Sequence, residues 1–311
     1  MWNALVRRRN RRKLFAVTAV VLGFILVLVA MEFSLRLMGW WSVRRGPLDP
    51  QNLAKVNFII LCTGDSHTYG KGAPAGFDYP AQLSARLSET HPGLVFAVVN
   101  LGHAGDNSSQ AVNRVLKFMK DMPRRPNLII FNAGKNNDHN FAEARILPAE
   151  VGRLNMSEQI KYLLANSRAF RLGQISVSRL QQLLDRDVSR QSMHWDRALD
   201  VRGEAEQELI RDWIRRDIEY LLVQTAGLRA PIVLLNYWSA VDMVDQVFTE
   251  MAKVDRITFI DVRRFGFSLR FLKRMGGLIA PDWHPNQYGY GLIARLVYQG
   301  LLDHGLIPPP E

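Results

Sequence analysis

A serine and a histidine, far apart in the chain, each stand in a polar stretch that could do chemistry. Ser66 lies in GDSHTYG over residues 64–70, directly after an apolar run. A serine at a tight strand-to-helix turn is exposed, and its own backbone N–H can face a reacting carbonyl. His284 lies in DWHPN beside Asp282, and a histidine oriented by a carboxylate acts as a general base. These residue types predict nucleophilic acyl chemistry with Ser66 as nucleophile and His284 as base.

Two further polar turns also follow apolar runs and could bind the oxyanion that such a reaction creates. Residues 100–106 read NLGHAGD, and a glycine in this turn lets a bare backbone N–H approach the oxygen. Residues 134–139 read GKNNDH, and an asparagine side chain there can donate another hydrogen bond. Each signal is weak alone, but four of them at four strand ends, in this order, are specific together.

Five short β-rich runs must position these turns, because each turn follows one of them. The runs are nearly all apolar rather than alternating, which is typical of strands covered on both faces. Helical patterns separate them, so the sequence predicts a parallel, doubly wound α/β sheet with its site beyond the carboxyl ends of the strands. The predicted strands are Asn57–Cys62, Leu94–Asn100, Asn127–Asn132, Pro231–Asn236 and Arg256–Asp261.

The predicted helices leave one long stretch unexplained. The gap between the third and fourth strands is too long for one crossover, so residues 141–203 are predicted to form a helical insertion. Such a segment is either extra packing or a cap over the site that selects the substrate, and the residues favour neither. The helices are predicted over Gln82–Thr90, Ser109–Met122, Glu204–Gln224 and Gly289–Leu302.

The amino terminus has the pattern of a membrane anchor. A basic block over Arg7–Lys13 precedes the uncharged apolar run Leu14–Met31, which is long enough to cross a hydrocarbon core of about 30 Å. Basic residues remain on the cytoplasmic side, so the rest of the chain should face the periplasm or the exterior. A cleaved signal peptide is the alternative, although Leu28-Val29-Ala30 matches a cleavage site poorly. We expect an uncleaved, single-pass protein of the inner (cytoplasmic) membrane.

The net charge of +11 does not indicate a nucleic-acid binder. Residues 1–45 hold nine Lys or Arg residues against one acid, so eight of the eleven net charges lie beside the apolar span. The rest of the chain carries an ordinary solubility charge, and no nucleic-acid partner is expected. The predicted organisation is a basic tail over 1–13, a transmembrane helix over 14–38, a linker over 39–56 and a catalytic domain over 57–311.

These motifs resemble the SGNH hydrolases, also called GDSL esterases or lipases. The resemblance lies in LCTGDS before Thr68, in residues 100–105, in Gly134-x-Asn136, and in His284-Pro285-Asn286. It implies a three-layer α/β/α, flavodoxin-like fold that hydrolyses esters or thioesters, sometimes transferring the acyl group, without a cofactor. It also implies that Ser66 attacks, that His284 takes its proton, and that the amides of Ser66 and Gly105 with the Asn136 side chain form the oxyanion hole.

Two positions depart from the family pattern. The family has Asp-x-x-His, but the third residue before His284 is Pro281, and Asp282 is only two residues away. We assign Asp282 as the triad acid, with a backbone carbonyl as the alternative partner of the histidine. The family's Gly-x-Asn-Asp reads here as GKNND, so Asn136 keeps the spacing from the glycine while Asn137 keeps the pair with Asp138. We prefer Asn136, because the turn after Gly134 sets where the side chain points.

Three further histidines follow the first three strands, namely His67, His103 and His139. They could hold a metal ion, but no paired-ligand spacing supports one, so we expect them to line a polar pocket. The sequence thus predicts a membrane-anchored serine esterase acting on a small-molecule, lipid or glycan acyl ester, with no metal or other cofactor. An acyltransferase using the same site and a non-catalytic binding protein are the alternatives; the sequence does not indicate protein partners.

Overall fold

The computed structural model describes a central domain and much of the amino-terminal helix, which belong to separate units of the chain. Asp282, His139, residues 1–14 and 38–55, and most of the predicted insertion lie outside the described residues. The described residues are 56–138, 140, 143, 156, 160, 204–239, 241–263, 277–280 and 284–310, with 15, 18–20, 22–24, 26–35 and 37 in the amino-terminal helix.

Five parallel strands form one sheet in the order β2-β1-β3-β4-β5, as the alternating pattern predicted. The first strand runs two residues further than expected, because Thr63 and Gly64 pair with Phe131 and Asn132 of the third. The strands are β1 (Phe58–Gly64), β2 (Phe96–Asn100), β3 (Leu128–Asn132), β4 (Ile232–Leu235) and β5 (Ile257–Ile260).

Both faces of the sheet are covered, which explains why the strands read as continuous apolar runs. Along β1, Ile59 and Leu61 point into one hydrophobic core, and Ile60 and Cys62 point into the other. All four side chains are fully buried. Alternate residues of a strand point to opposite faces, so a strand between two cores needs apolar residues at every position.

The helices divide between the two faces and give three layers. Helices α2 and α6 cover one core, and α3, α4 and α5 cover the other. The sequence prediction missed α5, although its Val244, Val247 and Phe248 form a buried apolar stripe. The helices are α1 (Ser66–Tyr69), α2 (Tyr79–Thr90), α3 (Ser108–Lys120), α4 (Glu204–Gln224), α5 (Asp242–Met251) and α6 (Gln287–Asp303), with one-turn 3-10 helices at Lys135–Asp138 and Ala226–Leu228.

Short polar side chains begin the helices that follow the strand ends. Asn107 accepts a hydrogen bond from the amide of Gln110, and the Gln110 side chain accepts one from the Asn107 amide. The Asp65 side chain caps α1 by accepting from the His67 amide, and the Asn286 side chain caps α6 by accepting from the Tyr288 and Gly289 amides. Because such caps satisfy amides that have no partner inside the helix, they define where each helix starts at the edge of the sheet.

The amino-terminal helix is apolar and exposed. Over Thr18–Leu35 its mean hydropathy is 2.3, and none of the residues described in this range is buried. By length and composition it could cross a membrane, and a signal sequence has the same properties.

Candidate active site

The end of β1 places Ser66 at the carboxyl edge of the sheet. Gly64 ends the strand, and a Cβ on it would lie 2.2 Å from the carbonyl oxygen of Asn132, so β1 and β3 approach too closely for a side chain. Asp65 then caps α1 by accepting a hydrogen bond from the His67 amide at 2.9 Å. Ser66 is therefore the first residue of a one-turn helix, half-buried at the strand end.

His284 meets Ser66 from the other end of the chain. Its Nε2 lies 2.9 Å from the Ser66 Oγ, across 218 residues of sequence. The backbone carbonyl of His284 accepts a hydrogen bond from the Ala280 amide, and Pro285 forms an antiparallel bridge with Ile279. For the Ser66 hydroxyl to donate to Nε2, the imidazole must carry its proton on Nδ1. The predicted partner of that proton, Asp282, lies outside the described residues.

The predicted oxyanion donors follow the carboxyl ends of β1, β2 and β3. Among the described residues, the amides of Ser66 and Gly105 make no backbone hydrogen bond. Gly105 has φ +84°, a conformation that favours glycine. The Asn136 Nδ2 donates to the Asp106 carbonyl at 3.0 Å, and a primary amide has a second N–H to offer.

Asn136 and Asn137 differ in how they are used. Asn137 is fully buried, and its Oδ1 accepts from the Ser108 amide at 2.9 Å. Its Nδ2 donates to the Ser108 hydroxyl at 2.6 Å. Both ends of the Asn137 amide are thus bound to one residue of the scaffold and the side chain is fully buried, whereas Asn136 is half-buried and so more accessible to a ligand. This arrangement favours Asn136 as the oxyanion donor.

Asp65 is a buried carboxylate beneath the serine. It accepts a hydrogen bond from the Tyr237 hydroxyl at 2.6 Å and lies 3.5 Å from His67 Nδ1. Burial raises the pKa of Asp65, but its interactions with His67 and the hydrogen bond from Tyr237 outweigh burial and leave the pKa below its ordinary value. The pKa of Tyr237 is raised well above normal, by burial and then by the Asp65 charge. The sequence interpretation missed Tyr237, although it follows β4 closely.

Of the three further histidines, the two among the described residues, His67 and His103, have different contacts. The His67 ring lies 5.2 Å from the His284 ring, centre to centre, so it does contact the site. His103 instead pairs with Asp106 through Nδ1 at 2.9 Å, and Arg114 binds the same carboxylate. Within the described part of the chain, no group of three or more His, Cys, Asp or Glu could hold a metal ion.

Comparison with known proteins identifies the family of the chain. The model of the GDSL-like lipase/acylhydrolase family matches residues 60–297. The chain therefore belongs to this family, as its motifs predicted, and it is an ester-bond hydrolase with the fold of the SGNH hydrolases. No curated protein sequence matches the chain.

Solved structures similar to the chain are distant in sequence. TesA is 14% identical, with a TM-score of 0.48 over 80% of this chain and 99% of that one. A lipase/acylhydrolase from Enterococcus faecalis is 13% identical, with a TM-score of 0.47 over 82% and 100%. Axe2, an acetylxylan esterase from Geobacillus stearothermophilus, is 16% identical, with a TM-score of 0.43 over 79% and 94%.

Proposed function

We propose that this chain is a membrane-anchored serine esterase in which Ser66 and His284 carry out the hydrolysis of an acyl ester. The observation that supports this most directly is the 2.9 Å contact between the Ser66 Oγ and the His284 Nε2. A nucleophile within hydrogen-bond reach of a base is the geometry that such catalysis needs. The amides of Ser66 and Gly105 lie at the same edge of the sheet, where the reacting carbonyl would sit.

The reaction proceeds through an acyl-enzyme. Ser66 attacks the ester carbonyl carbon while its proton passes to His284 Nε2, and the negative oxygen is bound by the proposed oxyanion donors. The ester C–O bond then breaks, and the departing alcohol takes the proton from His284. Water attacks next and gives a proton to the same nitrogen. The bond to Ser66 breaks, the acid leaves, and Ser66 recovers its proton.

Asp282 completes the proposed site as the acid that orients His284. It stands two residues before the histidine instead of three, so it would reach Nδ1 through a different turn from that of the family pattern. A carboxylate at Nδ1 stabilises the imidazolium that forms during attack. The oxyanion hole would consist of the Ser66 and Gly105 amides and the Asn136 side chain.

The test is labelling of the full-length, detergent-solubilised protein with a fluorophosphonate probe. We expect the wild type to label, and Ser66→Ala and His284→Ala to lose labelling. The matched controls are Ser88→Ala and His304→Ala, because both residues are exposed on helix surfaces or ends remote from the motif residues. A folded wild type that does not label would contradict the proposal and favour a non-catalytic binding role.

The acyl acceptor is tested separately. Release of acid from p-nitrophenyl acetate into water supports the esterase, whereas transfer of the acetyl group to an added oligosaccharide, with little release to water, would indicate an acyltransferase.

The anchor is tested by mass spectrometry of the membrane fraction from the producing cells. An intact amino terminus supports a membrane-spanning helix, and a mature chain that starts near Met31 would contradict it.

A further inference from the structure

A buried carboxylate on α4 lies behind the loops of the proposed oxyanion hole. Asp217 is 0% exposed, and one of its oxygens, Oδ2, accepts hydrogen bonds from two hydroxyls. These are Ser108 Oγ at 2.5 Å and Ser109 Oγ at 2.7 Å, the first two residues of α3. Burying a carboxylate is costly, so an acid at this position needs these hydrogen bonds to be tolerated.

The Asp217 carboxylate sets the direction of the next hydrogen bond. A carboxylate only accepts, so the Ser108 hydroxyl must donate its proton to Asp217. The lone pairs of the same hydroxyl then accept from Asn137 Nδ2, which lies 2.6 Å away. The Ser108 amide also donates to Asn137 Oδ1, which fixes the orientation of the whole Asn137 side chain.

This chain of hydrogen bonds leads to both proposed donor loops. Asn137 adjoins Asn136, whose Nδ2 donates to the carbonyl of Asp106 at 3.0 Å. Asp106 directly follows Gly105. The Asn140 side chain donates to the Gly105 carbonyl, and the Asn140 amide donates to the Asn136 carbonyl at 2.9 Å. The turn with Asn136 and the loop with Gly105 are therefore fastened to each other.

We propose that Asp217 is a positioning residue of the oxyanion hole, acting through Ser108 and Asn137. This inference rests on the proposed function. Asp217 holds the Ser108 hydroxyl in the one orientation that also accepts from Asn137, and Asn137 holds the turn from which Asn136 donates.

Ser109 provides a matched comparison within the same cluster. It is as deeply buried as Ser108 and donates to the same oxygen of Asp217. Its hydroxyl accepts from Trp213 Nε1 at 2.7 Å, and Trp213 belongs to α4 like Asp217 itself. Ser109 therefore ties α3 to α4, while Ser108 additionally ties both helices to the Asn137 turn.

The test compares Ser108→Ala with Ser109→Ala in the full-length protein by the kinetics of fluorophosphonate labelling, below the melting temperature of both variants. We expect similar losses of melting temperature, because each change removes a buried hydroxyl from Asp217. The maximal labelling rate should fall about 10- to 100-fold in Ser108→Ala, less than the loss of a whole oxyanion donor. In Ser109→Ala the maximal labelling rate should remain within about threefold of the wild-type rate. The probe concentration that gives half of the maximal rate should be unchanged in both variants.

Asp217 itself is tested with two substitutions. One oxygen of Asp217 accepts the hydrogen bonds of both serine hydroxyls. Asp217→Asn keeps an acceptor oxygen and should therefore retain most of the labelling rate. Asp217→Ala removes the acceptor and should resemble Ser108→Ala. Equal rates for the two serine variants would overturn the positioning role while leaving the proposed function intact. A folded wild type that does not label would overturn both.

Discussion

The proposed site has two halves: the serine half around Ser66, and the histidine half around His284. The two halves are held by different kinds of hydrogen bond. Around Ser66, side chains join separate elements: the half-buried Asn100 at the end of β2 donates to the Thr68 carbonyl of α1, and it also accepts from the Gly102 amide. The described segment around His284 is held mainly through its backbone, by bonds between Ala280 and His284 and between Asn286 and Leu278. The serine half should therefore be sensitive to loss of side chains, and the histidine half to changes that move the backbone.

The largest effect is expected from a glycine-to-alanine substitution in the histidine half, which adds one methyl group. A Cβ on Gly289 would lie 2.3 Å from the carbonyl oxygen of Leu278, which also accepts the Asn286 amide. Gly289→Ala should displace the segment that presents His284 and lower the fluorophosphonate labelling rate by about 100-fold, since misplaced catalytic groups cost factors of that order. Gly227→Ala is the control, because a Cβ there meets nothing within 4 Å. Normal labelling of Gly289→Ala would show that the His284 backbone tolerates movement.

A smaller effect should separate two asparagines, one in each half. Asn100→Ala removes the bond that joins the end of β2 to α1 and the bond from the Gly102 amide within the following loop, and should lower the labelling rate about 10-fold. Asn286→Ala removes the cap of α6, where the side chain accepts from the Tyr288 and Gly289 amides. It should cost about 1 kcal/mol of unfolding free energy with little change in rate. Labelling kinetics and denaturation of both variants check this, and a larger rate loss in Asn286→Ala would reverse the comparison.

The smallest effect is a pH dependence of stability in the serine half. The folded pKa of Asp65 is lowered, so its contribution is fully present above its unfolded pKa, about 4, and is lost as the pH falls through the folded value. The difference in unfolding free energy between wild type and Asp65→Asn should therefore shrink below about pH 4. Tyr237→Phe removes a donor to Asp65 and brings its folded pKa closer to the unfolded one, so the loss of stability on acidification should be smaller than in the wild type and complete at a higher pH. Denaturation at pH 3 to 7 measures this, and a constant difference would contradict it.

Much of the fold could be predicted from the sequence because strand and helix signals are local. Runs such as the one in β1 are continuous and apolar, which is the composition typical of a parallel strand covered on both faces. Boundaries were less accurate: α2 begins at Tyr79, three residues before the predicted start, because Asp78 caps it and Pro80 suits the first turn. The missed helix α5 shows a clear apolar stripe, but it is only ten residues long.

The supporting residues of the site could not be found in the same way. Asp217 has a signal, since it lies on the apolar stripe of α4 four residues after Trp213 and four before Leu221. An acid on a buried stripe indicates a buried partner, but nothing in the helix says that the partner is Ser108. Tyr237 has no motif at all, and its contact with Asp65 arises because only β3 separates β1 from β4 in the sheet, so the ends of these two parallel strands lie near each other.

The sequence by itself determined the class of fold, the family, and the positions of Ser66 and His284, because each depends on residue types within a short stretch. The tertiary structure decided which residues meet. It brought His284 to Ser66 across 218 residues, bound Asn137 to Ser108, and brought Asp217 to the same Ser108 hydroxyl. The physical reason is that hydrogen bonds need partners within about 3 Å, and only packing of the sheet and helices sets such distances between remote segments.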